Sequence, residues 1–301
     1  MNRELTDTFL VARHDVQDSM RSRRLIVWIL LYVCVAVGAT FIFSRVLRTI
    51  ETHIARTIAV EPTKETGQVV SSIQQSDSVR RMVDDMVDDK QLANQILNLH
   101  PLVIFYAWFS FAFMPFLVII ISSDTIARDV NTRNVRYHLF RTSRPAYAVG
   151  KGISSALVLL IALTISAIAT VVTGMLTMHS AITIPLLTDL LSFLVKCWLF
   201  NLSFLGIALM ASQLRRSPMQ AQFLGLGVFF LLLILHPVSA SQTGPGLARL
   251  WQLGVIISPY SHVNDFWYPD ITRFLKAAVW SLGLGFMYFF LGYIRFSRRD
   301  L

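Results

Sequence analysis

Leu102-Val-Ile-Phe-Tyr-Ala-Trp-Phe-Ser-Phe-Ala-Phe-Met-Pro-Phe-Leu-Val-Ile-Ile-Ile-Ser-Ser123 is an apolar run without a single charge. As a helix rising about 1.5 Å per residue, it reaches across the ~30 Å hydrocarbon core of a bilayer. Five further runs of about 18 residues or more repeat the pattern: Leu25–Phe43, Gly152–Met178, Leu190–Leu214, Phe223–Ala240 and Ala277–Ile294. Only Leu190–Leu214 contains a charge, Lys196. The expected fold class is an all-α integral membrane protein. It has six transmembrane helices, an N-terminal interfacial helix and an external helical insertion.

The composition agrees with a lipid solvent. Hydrophobic residues are 54% of the chain and charged ones 15%, against about 25% charge in a soluble domain. The net charge of +9 would suit a nucleic-acid binder, but the basic residues have another use. Membrane helices collect Lys and Arg on their cytoplasmic flanks. No nucleic-acid partner is expected. Cys34 and Cys197 both fall inside spans and read as small core hydrophobes rather than a disulfide.

An even number of spans puts both termini on one side. Residues 1–24, the loop 124–151, Arg215-Arg216 and the C-terminal Arg295, Arg298 and Arg299 together hold sixteen basic residues. The long opposite segment, Arg45–Pro101, balances seven basic residues with eight acidic ones. Both ends are therefore expected on the cytoplasmic side of a multi-pass protein. Residues 1–24 read as an interfacial helix, because Leu5, Phe9, Ala12, Val16 and Met20 recur at spacings of three and four. A frayed polar tail is the alternative. Residues 44–101 read as an external insertion of two or three helices, with an N-cap at Ser76-Asp77-Ser78. Residues 241–276 read as a re-entrant or interfacial hairpin. Its apolar part is too short to cross and is broken by Pro259. A seventh span is the competing reading. Spans three to five occupy 152–240, and the sixth span with its tail occupies 277–301.

The stretch between the second and third spans carries the mechanism. Asp124 and Arg128 stand four apart, as do Asp129 and Arg133, so a helix sets opposite charges side by side. Ile126, Val130, Tyr137 and Phe140 supply apolar contact, and Pro145 is expected to end the helix. After this one helix through residue 144, a second short turn is expected to deliver Gly150-Lys151 to the membrane, and such a rigid amphipathic pair under a bundle is placed to receive force. A solvated basic loop that only fixes topology fits the same charges.

This segment resembles the signature region of type-2 ABC transporter permeases, the membrane subunits of many bacterial exporters. Asp129 stands where that pattern has an acidic residue, and Asn131-Thr132 stands for Gly-Thr. Ser143-Arg144 and Gly150-Lys151 match in identity and spacing. Arg141 at the usual Pro position, one extra residue before Ser143 and Asn131 in place of Gly are departures. The tail Phe296-Ser-Arg-Arg-Asp-Leu301 also fits the family. The resemblance implies a subunit of the bacterial cytoplasmic (inner) membrane, working as a homodimer or heterodimer with separate ATP-binding subunits. ATP and Mg would reside in those partners, and no cofactor in this chain. The coupling residues would be Asp124, Arg128, Asp129, Thr132, Arg133, Arg136, Tyr137, Ser143 and Arg144. Gly150-Lys151-Gly152 is no phosphate loop, lacking both the earlier Gly and a following Ser or Thr.

Lys196 and Asn201 are the candidates for a substrate path. Lys196, with Asp189 on the same helix face, would meet an anionic group. Snorkelling to the outer interface is its ordinary alternative. The Asp84-Asp85 and Asp88-Asp89 cluster reads as a solvated face, and no His spacing suits a metal. Residues 44–101 are a candidate contact for an envelope partner. A non-transporting scaffold or sensor using that insertion is the rival function. Protease added outside intact cells is expected to cut near Lys64 and spare Arg136. The reverse pattern would invert the topology.

Overall fold

The computed structural model describes residues 2–58, 90–178, 183–241 and 254–299. Ten helices are named here: α1 (Asn2–Arg21), α2 (Arg23–Ile58), α3 (Lys90–Asn98), α4 (Pro101–Ser122), α5 (Thr125–Asn131), α6 (Asn134–Leu139), α7 (Arg144–Met178), α8 (Ile184–Leu214), α9 (Pro218–Ser241) and α10 (Ile271–Ser297). Six of them, α2, α4 and α7 to α10, are long and apolar enough to cross a membrane. The described residues contain no strand.

Local chemistry sets the helix starts. His100 Nδ1 accepts the Leu102 amide at 3.2 Å, and Pro101 follows it. Thr183 Oγ1 caps α8 by accepting from the Leu186 amide at 3.4 Å. Asp270 Oδ1 caps α10 by accepting from Thr272 at 3.1 Å. Each side-chain oxygen or nitrogen takes up an amide that the first helical turn leaves unpaired. Pro145, expected to end a helix, instead lies in the first turn of α7. There its missing N–H removes no helical bond. No separate short turn precedes the third span, and α7 runs unbroken from the Arg-rich end.

α8 is the hub. It packs against α4, α5, α7, α9 and α10, most extensively against α10. Its buried Phe193, Phe200 and Phe204 join Phe111 and Phe266 in the core. The α8–α10 crossing is backbone on backbone. A methyl group at Gly206 would collide with the Gly285 carbonyl, and one at Gly285 would lie 2.7 Å from Leu202 O. Small residues are what allow such approach in membrane bundles. The sequence draws attention to Gly283, Gly285, Gly225 and Gly227. Gly285 and Gly225 are contact points, whereas Gly283 and Gly227 face open space. α2 and α9 are peripheral and keep most of their apolar surface outward.

α2 outruns its apolar stretch, continuing from Phe43 to Ile58, and α3 leads into α4. The Ser76–Ser78 cap, the acidic cluster at 84–89 and Lys64 lie outside the described residues. Residues 254–270 contain two 3₁₀ turns, Pro259–His262 and Asn264–Trp267, and no helix long enough to cross. They fold onto the bundle. Phe266 is fully buried beside Phe111 and Phe200, and Tyr288 of α10 donates to Ile257 O at 2.6 Å.

The Gly206→Val variant is expected to lose most of its folded yield and thermal stability. Relief of a backbone collision requires α8 and α10 to separate, and overpacking alone costs about 1–3 kcal/mol. Gly283→Ala serves as the tolerated control. Equal melting temperatures for the two variants would refute the crossing.

Candidate functional site: a helix pair clamped by Lys151

The nine residues singled out within Asp124–Arg144 divide into those that face the bundle and those that face away. α5 is held from its first residues. The Ile126 and Ala127 amides donate to Ser212 Oγ of α8, at 2.8 and 3.0 Å. Asp124, at the N-cap position, makes no cap bond with its side chain. Its buried carboxylate accepts from Arg128 at 2.5 Å. Ser212 thus does the capping from another helix.

Asp129 turns inward. Its Oδ2 lies 2.8 Å from Lys151 Nζ and accepts the Tyr147 hydroxyl at 2.5 Å. Lys151 is 8% exposed, and its Nζ also lies 2.5 Å from Asp15 Oδ1 of α1. One ammonium therefore joins three helices, α1, α5 and α7. The neighbouring Gly150 makes this possible. A methyl there would lie 2.8 Å from Val11 Cβ, so only glycine lets α1 come this close. The Gly150-Lys151 pair is the docking point of the N-terminal helix.

An apolar cluster reinforces the clamp. Val11, Ile126, Val135, Tyr147 and Phe296 form a small second core, joining α1, α5, α6, α7 and α10. The C-terminal tail is tied in as well. Arg144 donates to Ser297 O and, at 3.0 Å, to Arg299 O. Arg299 donates to Leu214 O at 2.8 Å and Arg215 O at 3.3 Å. These guanidinium groups satisfy carbonyls that the ends of α8 and α10 leave open. Burial first, then Arg216 and Arg295, push the Arg299 pKa down. Ser143 Oγ accepts the Ala146 amide at 3.4 Å at the start of α7.

The remaining residues point away. Thr132, Arg133, Arg136 and Arg141 are exposed, as are Tyr137 at 73% and Phe140 at 86%. The expected single helix through residue 144 is two short helices. Arg133 breaks it at φ 61°, a left-handed conformation that usually falls to glycine. Arg133 consequently does not pair with Asp129, whose partners are Lys151 and Tyr147. The apolar contacts expected of Tyr137 and Phe140 are made by Val135 and Leu139. On α1, likewise, Val11 and Ala12 are buried, whereas Leu5 and Phe9 are exposed.

Lys196 is buried, donates to Tyr268 O at 3.4 Å and lies 4.7 Å from the Phe193 ring centroid. It forms no ion pair with Asp189 among the described residues. Asn201 is fully buried and donates to Cys197 O at 2.8 Å within its own helix. Neither is near the α5–α6 pair. Among the described residues, no group of three or more His, Cys, Asp or Glu is arranged to hold a metal ion. Asp15 and Ser212 escaped the sequence reading. Their partners are 136 residues away for Asp15, and 86 and 85 away for Ser212, and no local spacing signals either.

A sequence model of the family described as "ABC-2 family transporter protein" matches residues 9–301. No curated protein matches the chain.

Lys151→Met leaves two carboxylates buried against each other without a counter-ion. Loss of one partner from a buried ion pair costs about 3–5 kcal/mol, so a large drop in melting temperature is expected. Adding Asp15→Asn and Asp129→Asn to Lys151→Met should restore much of it. An unchanged melting temperature in the single variant would contradict the clamp.

Proposed function

The chain belongs to the ABC-2 family of transporter proteins, and on that premise we propose that it is the membrane subunit of an ATP-driven exporter, driven through α5–α6 by a separate ATP-binding subunit. The carrying observation is the two-sided character of this helix pair. Its inner side is fixed to the bundle through Lys151 and Ser212. Its outer side offers Arg133, Arg136, Tyr137, Phe140 and Arg141, all exposed. Exposed aromatics and arginines are the residue types that dominate protein–protein binding energy.

In this reading α1, α5–α6 and the C-terminal tail lie in the cytoplasm, where ATP and Mg are bound by the partner. This chain performs no catalysis of its own. Closure of two ATP-binding subunits would push on α5. The push would pass through Asp129 and Lys151 to the base of α7, and through Ser212 to α8. The path for substrate would form between two copies of this chain, or between it and a related permease. Lys196 would act by snorkelling, its ammonium resting on the Tyr268 carbonyl at the outer end. Residues 44–101 would meet an envelope partner.

Tyr137→Ala with Phe140→Ala should abolish co-purification with the ATP-binding subunit, weakening association by about tenfold or more. The double variant should reach the membrane at wild-type levels, since both rings are exposed. Asp129→Asn should keep the partner but separate ATP hydrolysis from transport. Full retention of the partner by the double aromatic variant would sink the docking assignment.

A further inference from the structure

Beside the Lys151 clamp, a cavity of about 180 Å³ opens among α1, α2, α4, α5 and α7. Its polar wall carries four carboxylates, Asp15, Asp18, Asp124 and Asp129, against two cations, Lys151 and Arg128. Both cations are already engaged. Lys151 is paired with Asp15 and Asp129, and Arg128 with Asp124. An anion entering here would find no uncommitted positive charge and an excess of negative charge. Among the described residues, the largely exposed Asp18 lies 3.2 Å from the His14 ring.

A second, independent feature points to a ligand. Ser154 is fully buried, lines the cavity, and its Oγ has no hydrogen-bond partner among the described residues. A buried hydroxyl without a partner is costly, and an incoming donor would satisfy it. Carboxylates and hydroxyls together call for a donor-rich cation. No metal arrangement exists among the described residues. The rest of the wall mixes five further hydroxyl side chains with the apolar Leu25, Trp28, Ile121 and Val158. An indole and apolar side chains beside carboxylates and hydroxyls suit the soft, partly apolar charge of an organic ammonium.

We propose that this cavity binds an organic ammonium group, held by Asp18 and Ser154 with Trp28 against its carbon atoms. The cavity lies where the interfacial helix meets the first span. The group could therefore arrive on an aminophospholipid or as a free amine from the aqueous phase. Binding requires neither ATP nor a partner subunit, so this inference stands apart from the coupling role of α5–α6.

The test uses the purified full-length chain without nucleotide. One arm measures phosphatidylethanolamine retained on the protein by native mass spectrometry, in competition with phosphatidylglycerol. The other titrates ethanolamine hydrochloride calorimetrically against sodium chloride at the same ionic strength. Saturable binding in either arm is expected and identifies the source. Asp18→Asn and Ser154→Val should each weaken it by about tenfold, the loss of one charge-assisted or buried contact. Asp18 is exposed enough that its variant folds. Preference for phosphatidylglycerol together with no saturable ethanolamine binding would overturn the proposal, as would undiminished binding by Asp18→Asn.

Discussion

One buried ammonium organises the Arg-rich end of this protein. Lys151 lies between Asp15 and Asp129, each brought by a different helix. A charge at this depth is tolerable only while its partners stay in place. The three helices are thereby locked in register, because sliding any one of them would strand an ion. Gly150 supplies the space, Tyr147 supplies a further hydrogen bond to Asp129, and Phe296 closes the apolar side.

This constraint explains how so short an element can be held in place. α5 has seven residues and α6 has six, far below the length at which an isolated helix is stable in water. Their order comes from tertiary contacts: Ser212 on the first amides, Lys151 on Asp129, and Ile126 and Val135 in the small second core. The hub α8 carries Ser212 at one end and the Gly206 crossing further along. A displacement of α5 therefore reaches both α7 and α8. Through the α8–α10 crossing it extends to the helix on which residues 254–270 rest.

The spans and the charge asymmetry were legible because hydropathy and basic-residue counts depend on composition alone. The motif region was legible as a region but not in its partners. Side-chain periodicity says which residues share a face and does not say what that face meets. Asp129 illustrates the difference. Spacing offers Arg133 as its partner, yet the backbone turns left-handed at Arg133 and a lysine 22 residues along the chain takes the role. Tyr137 and Phe140 were legible as a source of apolar contact, but their facing outward while α6 buries Val135 was not. Pro145 was read as a stop signal, and in the first turn of a helix it is a start signal. Asp15 and Ser212 gave no local sign at all, since each acts on a segment distant in sequence.

Amide hydrogen exchange on the purified chain tests the central claim most directly. If the clamp makes α5 part of the bundle, the amides of Thr125–Asn131 should exchange as slowly as those at the base of α7. In Lys151→Met that protection should fall by orders of magnitude while α10 keeps its own. Fast exchange of α5 in the wild-type chain would contradict a rigid lever, and so would unchanged protection in the variant.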